Sequence, residues 1–231
     1  MAKRIKHAAP PKISAQTRVA EGVRDAIFSG ELVPGDPIVE LRLAELHQVS
    51  QTTVREALVR LEHAGLVRRI HNVGTLVTQM SAREIQERLR LRVTLEGLAA
   101  MEAARLAQPE QLEEIEKWLQ TFAQAIDANS HFEAARADLE FHRVLWRASG
   151  DHTLYQILDQ ITVPLFAFVA MERRRLRQRQ SDEVVVRGHA PIVAALRERD
   201  PGAAGKAIHK HFESSYAEFL GSGPGYTLAV A

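Results

Sequence analysis

Residues 49–78 read VSQTTVREALVRLEHAGLVRRIHNVGTLVT, and the rest of the chain is placed by what this stretch becomes. Ser50 is a good N-cap, because its hydroxyl can accept from the unpaired N–H groups of a first helical turn. Val54, Ala57, Leu58 and Leu61 follow at i, i+3, i+4 and i+7 and so line one side of a helix. The opposite side gathers Thr52, Arg55, Glu56 and Val59, with Gln51 at the start beside them. Gly65 suits the left-handed position that ends such a helix. Beyond it, Leu66–Ile70 and Thr75–Thr78 are β-prone runs joined by the turn-rich His71–Gly74, which predicts a hairpin. A helix offering polar groups from its first turns, one of them an arginine, fits a major groove, where base edges are read. The expectation is a recognition helix followed by a two-stranded wing.

Composition agrees with that reading without carrying it. The chain has 231 residues, 45% hydrophobic and 26% charged, which is the balance of a globular protein with room for two domains. No apolar run approaches the roughly 20 residues a membrane helix needs, and the basic start, MAKRIKHAAPPK, is followed by no apolar signal core. There are no cysteines, so disulfides and thiolate metal sites are excluded; a cytoplasmic protein is expected. The net charge of +1 divides unevenly, +3 over residues 1–80 and −2 over the remainder. The basic excess lies with the helix and wing, as a nucleic-acid surface requires.

Upstream, Val19, Val23, Ala26 and Ile27 mark a first helix from about Ser14 to Ser29, with residues 1–13 as a basic disordered arm. Two prolines and a glycine make Leu32–Pro37 a loop. A short helix, Glu40–His47, then leads through a tight turn into the recognition helix. Helix, short helix, turn, helix and hairpin is the order of a winged helix-turn-helix over residues 14–79. The segments LVPGD, LAEL, VSQTTVREALVRLEHAGLV and NVGTLV resemble the DNA-binding domain of the GntR family of bacterial transcriptional regulators. The resemblance implies DNA contacts by Gln51, Thr52, Thr53 and Arg55 in the major groove and by His71 and Gly74 at the wing tip. The family usually carries arginine where Gln51 stands, and an amide suits adenine better than guanine.

From Ser81 onward the pattern becomes long helices without strand signals, about six in number: Ser81–Ala107, Pro109–Ala128, Ser130–Ala148, one from His152 that Pro164 should kink or divide, Asp182–Arg199 and Ala203–Leu220. The fold class is therefore mainly α, with an all-helical domain over residues 80–221 and a flexible tail over 222–231. Asp138 and His142 are four apart and face one way. With His189 and one histidine of AIHKHF on two further helices, they can converge on a divalent cation; imidazole and carboxylate suit Zn, Ni, Mn or Fe. His209 and His211 point about 200° apart, so only one can join. The run Arg173, Arg174, Arg175, Arg177 and Arg179 reads as a solvated helix end.

Residues 83–220 resemble the FCD effector domain of the FadR branch of that family, through ADLEFHRVLWRASGD, HAPIVAALRERDPGAA and HKHF. The resemblance implies a metal held by Asp138, His142, His189 and His211, with small organic acids bound beside it, and an effector role for Arg92. A buried Arg92 would fork onto a carboxylate; its other reading is a surface ion pair with Glu96. The expected protein is a ligand-responsive transcriptional regulator, a repressor, that binds palindromic operator DNA as a homodimer and takes a small carboxylate-type effector. The alternative is a metal-dependent hydrolase with an accessory winged domain, which would need a general base near the metal-bound water.

Overall fold

The computed structural model describes residues 14–176 and 179–216, with the side chains of 169–185 left out. The expected basic arm, the tail and the side chains of the arginine run fall outside the described residues. The order is α1 (Ala15–Phe28), β1 (Pro37–Ile38), α2 (Glu40–His47), α3 (Gln51–His63), β2 (Val67–Ile70) and β3 (Gly74–Val77). Six helices follow: α4 (Ala82–Leu106), α5 (Pro109–Asp127), α6 (His131–Ala148), α7 (His152–Leu176), α8 (Arg179–Arg197) and α9 (Pro201–Ser215).

The N-terminal part is built on the apolar stripe read from the sequence. Val54, Ala57, Leu58 and Leu61 of α3 are buried, as are Val19, Val23 and Ile27 of α1; each large side chain so buried contributes about 1.5–3 kcal/mol. Ser50 caps α3 by accepting from the Thr53 N–H at 3.2 Å. The helix ends in a Schellman turn, with Leu66 N–H on Leu61 C=O and Gly65 N–H on Glu62 C=O, both at 2.9 Å, and Gly65 at φ 70°. The wing pairs antiparallel, from Val67 opposite Val77 to Ile70 opposite Gly74.

One expectation needs correction and a second is narrowed. The loop after Val33 contains a strand: Pro37 and Ile38 pair antiparallel with Leu76 and Thr75, so the sheet order is β1-β3-β2. Proline is tolerated because β1 is a short edge strand. Pro164 does not divide α7, which runs unbroken through it. Proline leaves the carbonyl four residues earlier unpaired, and one residue further on the Ile161 carbonyl accepts from Nη1 of Arg88 on α4 at 3.1 Å.

In the helical part, α4 packs against α6, α7, α8 and α9, while α5 lies against α6 and α8. Ser81 and Glu84 form the capping box of α4, and hydrogen bonds from Ser81 lower the Glu84 carboxyl below its ordinary value. Asp200 caps α9, which starts two residues earlier than expected, at Pro201. α1 meets α6 and α7. At the same seam a Cβ on Gly65 would fall 2.7 Å from Cγ of Pro164, so the end of α3 sits directly on α7.

Candidate metal centre and DNA-reading surface

Three helices bring the histidines together. His142 on α6, His189 on α8 and His211 on α9 are all buried, and their candidate ligand atoms lie within 4.8 Å of one another. Asp138, one turn before His142, lies beside two of them: its Oδ1 is 3.0 Å from Nε2 of His189 and 3.4 Å from Nε2 of His142. The two Nε2 atoms are 3.3 Å apart. Bonds of about 2.0–2.1 Å, as zinc makes to imidazole, give ligand–ligand edges of about 3.3 Å in a tetrahedron and about 2.9 Å at right angles. The separations among Asp138, His142 and His189 match those edges, and the His211 ligand atom lies within 4.8 Å of those of the other two histidines. Asp138 Oδ1 is buried, and among the described residues no donor is aligned on it despite those short distances, as expected of an oxygen left to take a cation. The residues fit a divalent cation.

Their electrostatics suit ligation. Burial, reinforced by the neighbouring His189 and His142, holds the His211 imidazole well below its usual value, so it is neutral near pH 7. Burial works against an ionised Asp138, but His142 and His189 outweigh it and hold that carboxyl well below the usual range. Gly188 is a less visible requirement: a Cβ there would lie 2.8 Å from Nδ1 of His211, so glycine lets α8 and the His211 ring approach. His209 is not in the group; its ring lies beside Gly97.

Behind the cluster runs a buried chain whose link to His142 sequence spacing did not reveal. Nδ1 of His142 is 2.6 Å from Glu96 Oε2, an ion-pair distance, and Glu96 Oε1 accepts from Arg92 Nε at 2.5 Å. Orienting a ligand histidine through its second nitrogen is the usual task of such a carboxylate. Burial lowers the His142 imidazole, but Glu96 and Asp138 outweigh it and leave the value raised. Glu96 itself is held below its ordinary value because Arg92 and His142 overcome burial.

The Arg92–Glu96 pair is therefore not on the surface; both side chains are fully buried. Nor is the whole Arg92 fork open. Its Nη1 donates to the Tyr216 hydroxyl at 2.8 Å, and its guanidinium carbon lies 4.6 Å from the ring centres of Phe166 and Phe212. Among the described residues, Nη2 is the Arg92 nitrogen that is buried without a partner.

On the other part of the molecule, Gln51, Thr52 and Arg55 are exposed on α3, as are His71 and Gly74 at the wing. Thr53 differs: it is half-buried and its hydroxyl lies 3.0 Å from that of Ser50, inside the cap. Arg55 is held by Glu40 of α2, with Nε 2.7 Å from Oε2. Arg69 of β2 donates to the Arg55 carbonyl at 3.1 Å and pairs with Glu62.

Comparison with known proteins places this arrangement. Residues 15–77 match the family model described as bacterial regulatory proteins, gntR family, and residues 87–214 match the FCD domain. The chain belongs to the GntR family. This GntR chain is 30% identical over 221 residues to the HTH-type transcriptional repressor NanR of Cronobacter sakazakii, covering 86% of this chain and 83% of that one. It is 29% identical over 226 residues to a probable D-xylose utilization operon transcriptional repressor of Paenarthrobacter nicotinovorans, covering 96% and 98%. Its fold is that of E. coli McbR/YncC, with a TM-score of 0.79 at 21% identity over 90% of this chain and 98% of that one.

GntR proteins are DNA-binding transcriptional regulators, so the hydrolase alternative falls. The geometry agrees, since Glu96, the further carboxylate touching the cluster, is held between Arg92 and His142 and is no free base. Among the described residues no helix is long and apolar enough to cross a membrane.

Proposed function

We propose that this GntR regulator is a cytoplasmic repressor that grips a palindromic operator as a homodimer, and that a small organic acid bound at a metal-loaded site in the helical domain controls its grip. The division of labour assigns residues 14–79 to DNA and residues 80–221 to effector binding and dimerisation. The observation that carries the effector half is the buried Nη2 of Arg92, which has no partner among the described residues. A buried cationic donor left unmatched costs stability unless something accepts from it. A carboxylate bound beside the metal site can do so.

Asp138, His142, His189 and His211 would hold the metal; it would supply a Lewis-acidic position for the acid's oxygens. Glu96 orients His142, and the aromatic wall of Phe166 and Phe212 excludes water around Arg92. For DNA, Gln51, Thr52 and Arg55 are the base readers, His71 and Gly74 approach the minor groove, and Thr53 acts through the cap. One recognition helix spans only a few base pairs, so two half-sites and two copies are required for a specific operator. The relatives' printed names as repressors support the negative sign.

Communication between the two ends needs only a short path. Phe166 on α7 packs on Arg92 and lies 5.9 Å from the His142 ring centre, while Pro164, two residues earlier, bears on Gly65 at the end of α3. An effector shifts operator affinity by its differential affinity for two arrangements of that seam.

The test is a thermal-shift screen of small mono- and dicarboxylates, sugar acids and amino acids against the zinc-loaded and the chelated protein. At least one acid should stabilise the loaded protein, lose that effect on chelation and release bound DNA. An acid that binds equally well without metal would contradict this reading of the site. Sedimentation of the protein on DNA should show two copies per site.

A further inference from the structure

Glu40 is an acid on the face the recognition helix presents to DNA, where it repels phosphates and weakens binding to any duplex. It opens α2 directly after a helix start at which Val39 provides no side-chain cap. Its carboxylate takes the Nε of Arg55 at 2.7 Å, although Arg55 is 61% exposed and otherwise able to swing through many rotamers. The backbone under Arg55 is fixed as well, because Arg69 from the wing donates to the Arg55 carbonyl and is itself held by Glu62. A guanidinium has five donors in a rigid fork. With the Nε edge occupied, the two terminal nitrogens remain as a parallel pair, which is the shape that matches O6 and N7 of guanine.

We infer that Glu40 is a specificity-positioning residue: it holds the Arg55 guanidinium so that its terminal nitrogens read one guanine of the operator and are kept from the phosphates. This rests on the reading of α3 as the base-reading helix. Glu40 acts through Arg55 and needs no contact with DNA. Its removal has an unusual signature. An arginine released from its carboxylate can settle on a phosphate, so binding to arbitrary sequence strengthens while binding to the operator weakens.

The experiment uses the full chain and a duplex selected by the wild-type protein from a random pool. Affinities are measured for that site, for variants with each guanine replaced, and for a shuffled duplex, between 50 and 200 mM salt. Glu40→Ala and Glu40→Gln should raise the Kd for the selected site about tenfold, tighten the shuffled duplex, and level the preference at one guanine. The slope of log K against log salt on the shuffled duplex should steepen by about one phosphate contact. In an Arg55→Ala background, adding Glu40→Ala should leave the ratio of specific to non-specific binding unchanged. A ratio that stays at the wild-type value in both single variants, with only the melting temperature lowered, makes the pair a strut between α2 and α3 and overturns the inference. Independent, additive losses from Glu40 and Arg55 overturn it too. A wild-type chain that selects no sequence at all refutes the DNA-reading helix itself, and the inference with it.

Discussion

Replacing Gly188 with alanine isolates the metal centre from the rest of the fold. The added Cβ would stand 2.8 Å from Nδ1 of His211 and 3.7 Å from its Cα. The second distance is ordinary contact, so α9 has no reason to move. The first is shorter than an ordinary contact of about 3.5 Å, so the ring must withdraw by about 0.7 Å. Ligand distances in a metal site tolerate about 0.2 Å. The ring therefore loses its bonding position while Asp138, His142 and His189 keep theirs, and disturbing a supporting group of this kind weakens metal about 10- to 100-fold. Overpacking costs about 1–3 kcal/mol, partly offset by the better helix propensity of alanine, worth about 1 kcal/mol. The metal-free protein should consequently melt within a few degrees of the wild type. Competition against a fluorescent zinc indicator gives the affinity, and scanning calorimetry of the chelated protein gives the stability. Gly97→Ala is the control, since a Cβ there meets Nε2 of His209 at 3.6 Å, an ordinary contact. Zinc affinity in Gly188→Ala equal to that of Gly97→Ala would refute the placement of His211 at the metal.

Further outcomes follow from the same geometry. Glu96→Ala leaves the buried Arg92 charge without its carboxylate and should destabilise the protein by about 3–5 kcal/mol in urea titration; a loss below about 1 kcal/mol would contradict the burial. Gln48 ends α2 at φ 53°, a conformation that favours glycine, so Gln48→Gly should raise the urea midpoint by an amount equivalent to about 0.5–1 kcal/mol. His189→Ala should lower bound metal, read by elemental analysis, and blunt any effector response without unfolding the chain. The carboxyls of Asp138 and Glu96 are both held below their ordinary values in the folded state. Their contribution is complete above the unfolded carboxylate values near pH 4 and is lost as pH falls through the folded ones, so the chelated protein should weaken steadily below about pH 4. An Asp138→Asn variant should show a shallower fall.

Local patterns carried most of the architecture. Ser50, the stripe from Val54 to Leu61 and Gly65 are near neighbours in sequence, and their caps and burial follow from rules that act within a few residues. The bonds that escaped notice join distant segments. β1 exists because Gly35, Pro37 and Ile38 meet β3 some 40 residues later, and nothing in a proline-rich run announces such a partner. In the same way, Glu96 was visible four residues after Arg92, but its contact with His142 depends on α4 crossing α6. The histidines themselves were legible because an aspartate and a histidine four apart on one helix share a face. Gly188 was not, since its role is the absence of a side chain opposite a ring on another helix. What the sequence did not show at Thr53 is that its hydroxyl lies 3.0 Å from that of the capping Ser50 and is half-buried beside it.

The contact between Gly65 and Pro164 also limits how such regulators can be recombined. Positions such as Gln51 and Thr52 are exposed on α3 and can be exchanged without disturbing what lies beneath them. The joint cannot, because at Gly65 both the backbone angle and the proline ring 2.7 Å from any Cβ forbid a side chain. A chimera that grafts a foreign winged domain onto these helices inherits that constraint. It should assemble when the graft brings glycine at this position, and a graft with a larger residue there needs a smaller partner in place of Pro164.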